Sequence, residues 1–223
     1  MEKVRNNLFA GFSLLSIAVY VWCYLDIKSA MTILAPPENR ELGLTEIAQG
    51  ALLLVCLWAG IKNARGKSFF NFWIVFSLFI FFIFLEEIDY GLHYVEFLLG
   101  KEPYALNFIG FRNIHNQGNN NNWIKLFILI CQIILFGILP FIKTYTKINY
   151  PARSYGFFYL FITLSNPLSN WLIIEHLSAL DEQVFEKTQL LGELRELAYY
   201  LILVVFISEY REEINHLIFK LKS

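Results

Sequence analysis

Phe69-Phe70-Asn71-Phe72-Trp73-Ile74-Val75-Phe76-Ser77-Leu78-Phe79-Ile80-Phe81-Phe82-Ile83-Phe84-Leu85-Glu86-Glu87 is the stretch that decides the class of this chain. From Phe72 to Leu85 only Ser77 is polar. A run of this length with no charge and no alternation reads as a helix able to cross the apolar layer of a bilayer. Two carboxylates close it at once. Carboxylates at the lip of such a run are costly unless they face water, a partner or an ion.

The composition agrees with that reading. The chain is 57% hydrophobic and 17% charged, against about 45–50% and about 25% in a soluble domain. Its mean hydropathy is +0.48. A soluble core of this size could not absorb 22 phenylalanines together with the other apolar side chains. The net charge of −1 gives no footprint for nucleic acid. Cys23, Cys56 and Cys131 all fall inside apolar runs, which is neither a disulfide framework nor a zinc-knuckle spacing.

Outward from the central run, five more segments read as spans: 8–25, 47–61, 123–142, 155–174 and 197–207, with the central run as 69–85. The expected fold is therefore all-α, a polytopic bundle of about six transmembrane helices forming one integral membrane domain over 1–223. The first apolar run is longer than a signal-peptide core and has no small-x-small cleavage site after it, so it reads as a retained anchor. Thr45 is the expected N-cap of the second span. Ser165-Asn166-Pro167-Leu168-Ser169-Asn170 is expected to interrupt the fifth, and 177–187 to be an acidic connector. The tail, 208–223, alternates Ile214, Leu217, Ile218 and Leu221 with charges and reads as an amphipathic helix on the membrane surface.

Charge sets the expected orientation. With both termini cytoplasmic, the inner segments hold eleven basic and four acidic residues, the outer ones seven and fifteen. The short turns around Lys62, Arg65 and Lys67 and around Lys143, Lys147 and Arg153 carry no acid. The reverse orientation would put both outside.

That orientation gathers the unusual polar residues at the outer end. Glu86, Asp89, His93 and Glu96 are 3, 4 and 3 residues apart and would share one face of a continuous helix. Such carboxylates and imidazoles can ligate a divalent metal such as Zn, Mn or Fe, or act as an acid and a base. The bland alternative is a helix end turned to water. In Arg112-Asn113-Ile114-His115-Asn116, His115 is a candidate ligand or base, and Arg112 and Asn116 are candidate substrate contacts. The stripe Glu182, Glu186, Gln189, Glu193, Glu196, Tyr200 recurs every three or four residues on one helix face. Its last three members run into an apolar span and are expected to face the interior, with Arg195 paired to a neighbouring acid. Asn166 and Asn170 beside Pro167 either satisfy freed backbone groups or line a pocket.

Glu86-Glu87-Ile88-Asp89-Tyr90-Gly91 followed by Asn113-Ile114-His115-Asn116 resembles two elements of an uncharacterised family of bacterial multi-pass membrane proteins: a Glu-Glu-x-Ser-Trp-Gly-Gln element and an Asn-Leu-His-Asn element. Glu86, Glu87, Gly91, Asn113, His115 and Asn116 match. Asp89, Tyr90 and Leu92 depart from the serine, tryptophan and glutamine. The resemblance covers about 35 residues around spans three and four, and implies that the two elements work together.

The expectation is a protein of the bacterial cytoplasmic membrane with an outward-facing carboxylate and histidine cavity. As a metal-dependent hydrolase or transferase of a lipid-linked or membrane-borne substrate, it would use Glu86, Glu87, His93, His115 and Glu196 in catalysis. Glu86, Asp89, His93, His115 and Glu193 would be its metal ligands, and Arg112, Asn116, Asn166, Asn170 and Tyr200 its substrate contacts. The alternatives are a cation or small-solute transporter, or a subunit of an oligomer or larger membrane complex.

Overall fold

A computed structural model of the chain describes residues 1–36, 43–64, 72–102, 105–107, 120–142, 150–177 and 181–220, excluding the side chains of Tyr90, His93, 120–125, 170–177, 181–189 and 216–220. Its helices are α1 (Glu2–Leu25), α2 (Ile27–Leu34), α3 (Leu44–Ala64), α4 (Phe72–Glu87), α5 (Leu92–Leu98), α6 (Asn120–Gln132), α7 (Arg153–Leu177) and α8 (Asp181–Lys220). Among the described residues there is no strand. The described parts of the six expected apolar segments fall on helices, with Ile142 just past the end of one. Two of these, α1 and α3, are long and apolar enough to cross a membrane, and Leu126–Phe141 forms a shorter apolar helix.

Local chemistry explains the boundaries. Asp26 leaves the helical conformation after α1 and caps α2, its carboxylate accepting from the Ser29 N–H at 3.1 Å. Pro36 disfavours helical backbone at the preceding Ala35, which stands at φ −152° and ψ 73°, and α2 stops there. Thr45 does not cap α3. It lies inside the helix, and its buried hydroxyl donates to the Leu34 carbonyl at 2.7 Å, satisfying an orphan acceptor at the end of α2. The chain α6 widens into a π turn over Ile133–Ile138 and tightens into a 3-10 turn over Leu139–Phe141. Pro140 lacks the N–H that a regular ladder needs there.

Pro167 does not interrupt α7, which runs through it to Leu177. The Ser165 hydroxyl donates to the Ile162 carbonyl at 3.0 Å, and the Ser169 hydroxyl donates to the Ser165 carbonyl, so side chains supplement the ladder around the proline. The expected acidic connector is shorter than its composition suggests, because α8 already begins at Asp181. At 40 residues, α8 is about 60 Å long, twice the apolar thickness of a bilayer. The tail continues the same helix.

Helix α8 is the hub. Leu190, Leu191 and Leu194 pack with Val19, Cys23 and α2. Ala198, Ile202 and Val205 pack with Phe9, Phe136, Tyr155, Tyr159 and Ile162. Ile207 packs with Leu53, Cys56, Trp73 and Ile80. The α3–α4 pair closes tightly at Gly60, where a Cβ would clash with the Ser77 hydroxyl oxygen. Small residues at such points let helix backbones approach.

The polar and apolar residues are partly inverted relative to a soluble protein. Phe82, Val75, Phe127 and Phe157 stand more than half exposed, whereas Arg5, Ser16, Gln49, Asp89, Glu96 and Asn166 are buried. Side-chain bonds mark two ends of the bundle. At the basal end, where the N-terminus lies, Arg5 reaches Ser154 and Glu209, and Trp73 donates to Asn215 at 2.7 Å. At the distal end Gln49 meets Glu193, and Glu87 meets Tyr200.

Candidate functional site

The distal cluster is built by α3, α4 and α8. Glu46 and Gln49, one turn apart, lie near the start of α3. Glu86 and Glu87 end α4. Glu193, Glu196 and Tyr200 share one face of α8, the face whose next turns, Leu203, Val204 and Ile207, pack on α3 and α4. Helical spacing therefore delivers the polar stripe of α8 to the same place as the acidic end of α4.

Two hydrogen-bonded pairs define the geometry. The Gln49 amide nitrogen donates to the Glu193 carboxylate at 2.9 Å and to the Glu193 backbone carbonyl at 3.1 Å. Both partners are pure acceptors, so the amide orientation is determined by chemistry. Its oxygen, Oε1, then points the other way, is fully buried, and has no donor among the described residues. The Tyr200 hydroxyl donates to Glu87 Oε1. The charges of Glu87, Glu196 and Glu46 all reach that hydroxyl. The cluster thus combines carboxylates, an amide oxygen and one phenol around the α3–α8 contact.

Of the expected residues, the structure brings Glu87, Glu193, Glu196 and Tyr200 together. Glu86 stands half-buried beside Glu87 at the end of α4. Asp89 is placed differently from expectation. The helix ends at Glu87, and a 3-10 turn over Asp89–Gly91 follows. Asp89 has φ +47° and Gly91 φ +80°, the left-handed region that glycine adopts freely and aspartate tolerates. The chain therefore turns, and the single face proposed for Glu86, Asp89, His93 and Glu96 does not form. Asp89 is buried in the turn. Glu96 is buried too, and its carboxylate accepts the Leu106 N–H at 2.7 Å, holding the segment after α5.

Asn166 lies on the buried face of α7 with Tyr159 and Ile162, on the far side of α8 from Gln49. His93 and Asn170 fall on α5 and α7, but their side chains lie outside the described residues, as do Arg112, His115 and Asn116 altogether. Among the described residues no group of three or more His, Cys, Asp or Glu could hold a metal ion.

Gln49 is the site residue that sequence reasoning missed. Its signal was present: a glutamine within an apolar helix, three residues after Glu46 and on the same side. Arg195 also departs from expectation, since it makes no ion pair with an acid among the described residues.

No family model matches the chain, and no curated protein or solved structure shows significant similarity to it.

Proposed function

We propose that this is a six-span protein of a bacterial cytoplasmic membrane, with both termini inside, whose distal cluster binds a cationic or hydrogen-donating group from the outer side. The basic inner turns and acidic outer segments support the orientation. The exposed phenylalanines and valines support a lipid surrounding. The observation that carries the binding reading is Gln49 Oε1. It is a buried acceptor with no donor among the described residues, on a side chain whose nitrogen is bonded to the Glu193 carboxylate. A buried amide oxygen left unsatisfied costs about 1–3 kcal/mol. A ligand N–H, or a cation, removes that cost and gains the field of the carboxylates.

The test is titration of the purified chain with methylammonium, sodium and magnesium chlorides, read by intrinsic tryptophan fluorescence or calorimetry. Saturable binding of at least one cation, lost in Gln49→Leu and weakened in Glu193→Gln, is the expected result. Absence of binding by all three would overturn the reading. Reporter fusions at residues 65 and 147 on the inner side and at 40 and 118 on the outer side test the topology.

The second reading is the membrane-embedded hydrolase or transferase. The Tyr200–Glu87 hydrogen bond favours it, because a phenol paired with a carboxylate can pass a proton to or from a bound substrate. On this reading Glu87 is the base and Tyr200 orients it. Turnover of a lipid-linked substrate that survives Glu87→Gln would exclude it.

A further inference from the structure

Helix α5 is turned inside out relative to a surface helix in water. Its acid, Glu96, points inward and is 2% exposed, with the carboxylate accepting the Leu106 N–H at 2.7 Å. Its apolar side chains point outward. Phe97, Leu98 and, just past the helix, Leu99 are 71%, 80% and 61% exposed, and Tyr94 and Val95 are nearly half exposed beside them. The backbone fixes this arrangement at both ends. Asp89 and Gly91 turn the chain into α5 in the left-handed region, and Gly100 ends it at φ +59°. There the Gly100 N–H donates to the Phe97 carbonyl at 3.2 Å and the Lys101 N–H to the Glu96 carbonyl at 2.9 Å, the paired bonds of a glycine-closed helix end. Polar bonds thus hold the apolar side chains outward.

A cluster of outward apolar side chains is costly in water and marks contact with a partner or a membrane. Depth and continuity select the membrane. Trp73, near the start of α4, is tied to the basal end by its bond to Asn215. From Phe72 to Glu87, α4 has 16 residues and is about 24 Å long, short of an apolar layer of about 30 Å. The turn after Glu87 and α5 therefore lie at the outer interface, not beyond it. The patch also continues the lipid-facing pattern of the bundle. Phe79 and Phe82 of α4 are exposed and Arg5 is buried, the same inversion of apolar and charged side chains that α5 shows. The patch ends at the exposed charges of Lys101 and Glu102. Short segments with one apolar side and no span of their own lie in the interface plane.

We propose that α5 is an interfacial anchor whose Phe97, Leu98 and Leu99 insert among the acyl chains of outer-leaflet phospholipids. The inference rests on the membrane reading given above, but not on the binding reading of the Gln49 cluster. Its consequence is positional. The turn over Asp89–Gly91 joins α5 directly to the end of α4, so the anchor holds Glu86 and Glu87 at headgroup depth.

The test uses the full chain in vesicles of phosphatidylcholine and phosphatidylglycerol. Cys131→Ser removes the exposed thiol, and that variant alone gives the labelling blank for the buried Cys23 and Cys56. On this background a nitroxide is attached to Leu98→Cys. Leu54→Cys, on the exposed side of α3, is the lipid reference, and Glu102→Cys is the water reference. Collision with oxygen, which concentrates among acyl chains, is compared with collision with a water-soluble nickel chelate. Oxygen is expected to dominate at Leu98 as at Leu54, with an oxygen-to-nickel ratio several-fold above that at Glu102. Should Leu98→Cys fail to label, Phe97→Cys decides in the same way. A ratio at Leu98 equal to that at Glu102 would place α5 in water, and weak collision with both reagents would show a protein surface covering it. Either result, with Leu54 still reading as lipid, overturns the anchor and leaves the membrane reading standing. Nickel dominance at Leu54 as well would overturn the membrane reading and the anchor with it.

Discussion

Arg5 and Glu209 lie 204 residues apart in sequence, and a single guanidinium nitrogen of Arg5 donates to both oxygens of the Glu209 carboxylate, at 2.9 and 2.7 Å. Both side chains are buried, at 6% and 8% exposure. Ser154 accepts from Arg5 Nε at 2.7 Å, and the Tyr155 hydroxyl donates to Glu209 at 2.8 Å. Four elements of a polar network thus tie the first, seventh and eighth helices at the basal end. Removing one partner strands a buried charge. Arg5→Gln or Glu209→Gln is expected to cost about 3–5 kcal/mol in reversible unfolding. The apolar double variant Arg5→Met with Glu209→Leu is expected to lose less than either single change. Singles that unfold like the wild type would show that the network contributes nothing.

Gly60 sits at a tight contact between α3 and α4, where a Cβ would clash with Ser77 Oγ. Ser77 is held in turn, donating to the Trp73 carbonyl at 2.6 Å. Gly60→Val is expected to force the pair apart and cost about 1–3 kcal/mol. Pairing it with Ser77→Gly is expected to recover part of that loss. Thermal unfolding of the three variants checks both statements, and no recovery in the double variant would mean that the strain lies elsewhere.

The Tyr210 hydroxyl donates to the Tyr150 carbonyl and accepts from the Ala152 N–H, both at 3.0 Å. Burial pushes its titration above the ordinary phenol value, with the Glu209 charge acting in the same direction. The folded state therefore keeps this proton when the unfolded state has lost it. Below about pH 10 both states hold the proton and the site contributes no pH dependence. As pH rises through about 10 the unfolded phenol ionises first and stability falls. Unfolding of wild type and Tyr210→Phe between about pH 8 and about pH 11, from below to above the ordinary phenol value, is expected to show a shallower alkaline loss in the variant. Equal slopes would refute this.

The three cysteines report on the surroundings. Cys23 and Cys56 are buried, and Cys131 is exposed on α6. In native membranes a lipid-soluble maleimide is expected to modify Cys131 first, and a charged, impermeant maleimide to leave it intact. Cys131→Ser removes the signal. Rapid labelling of Cys131 by the charged reagent would place that face of α6 in water.

The legible part of this protein is the part carried by local pattern. Uninterrupted apolar runs and the absence of alternation specify helices, because each backbone polar group in such a run must be bonded within its own segment. The described parts of the six runs fall on helices in the structure, and the polar stripe of α8 was readable from its spacing. Local pattern was weaker where one residue changes the backbone. Pro167 read as a break, yet α7 passes through it, with seryl hydroxyls donating to the carbonyls of Ile162 and Ser165 on either side. Glu86 to Glu96 read as one helical face, yet Asp89 and Gly91 turn the chain in the left-handed region.

By itself the sequence determined that this is a helical chain with apolar segments, acidic ends and a long final helix, since those properties follow from period and composition. Only the tertiary structure decided which residues share a site. Gln49 meets Glu193 across 144 positions, and Tyr200 meets Glu87 across 113. The helical spacing of α8 was visible from the start, but the spacing does not say which neighbour each face receives. Packing chose α3 and α4 for the carboxylates and α1 and α7 for Ala198 and Ile202. That choice rests on side-chain complementarity summed over the whole bundle, which no local stretch encodes.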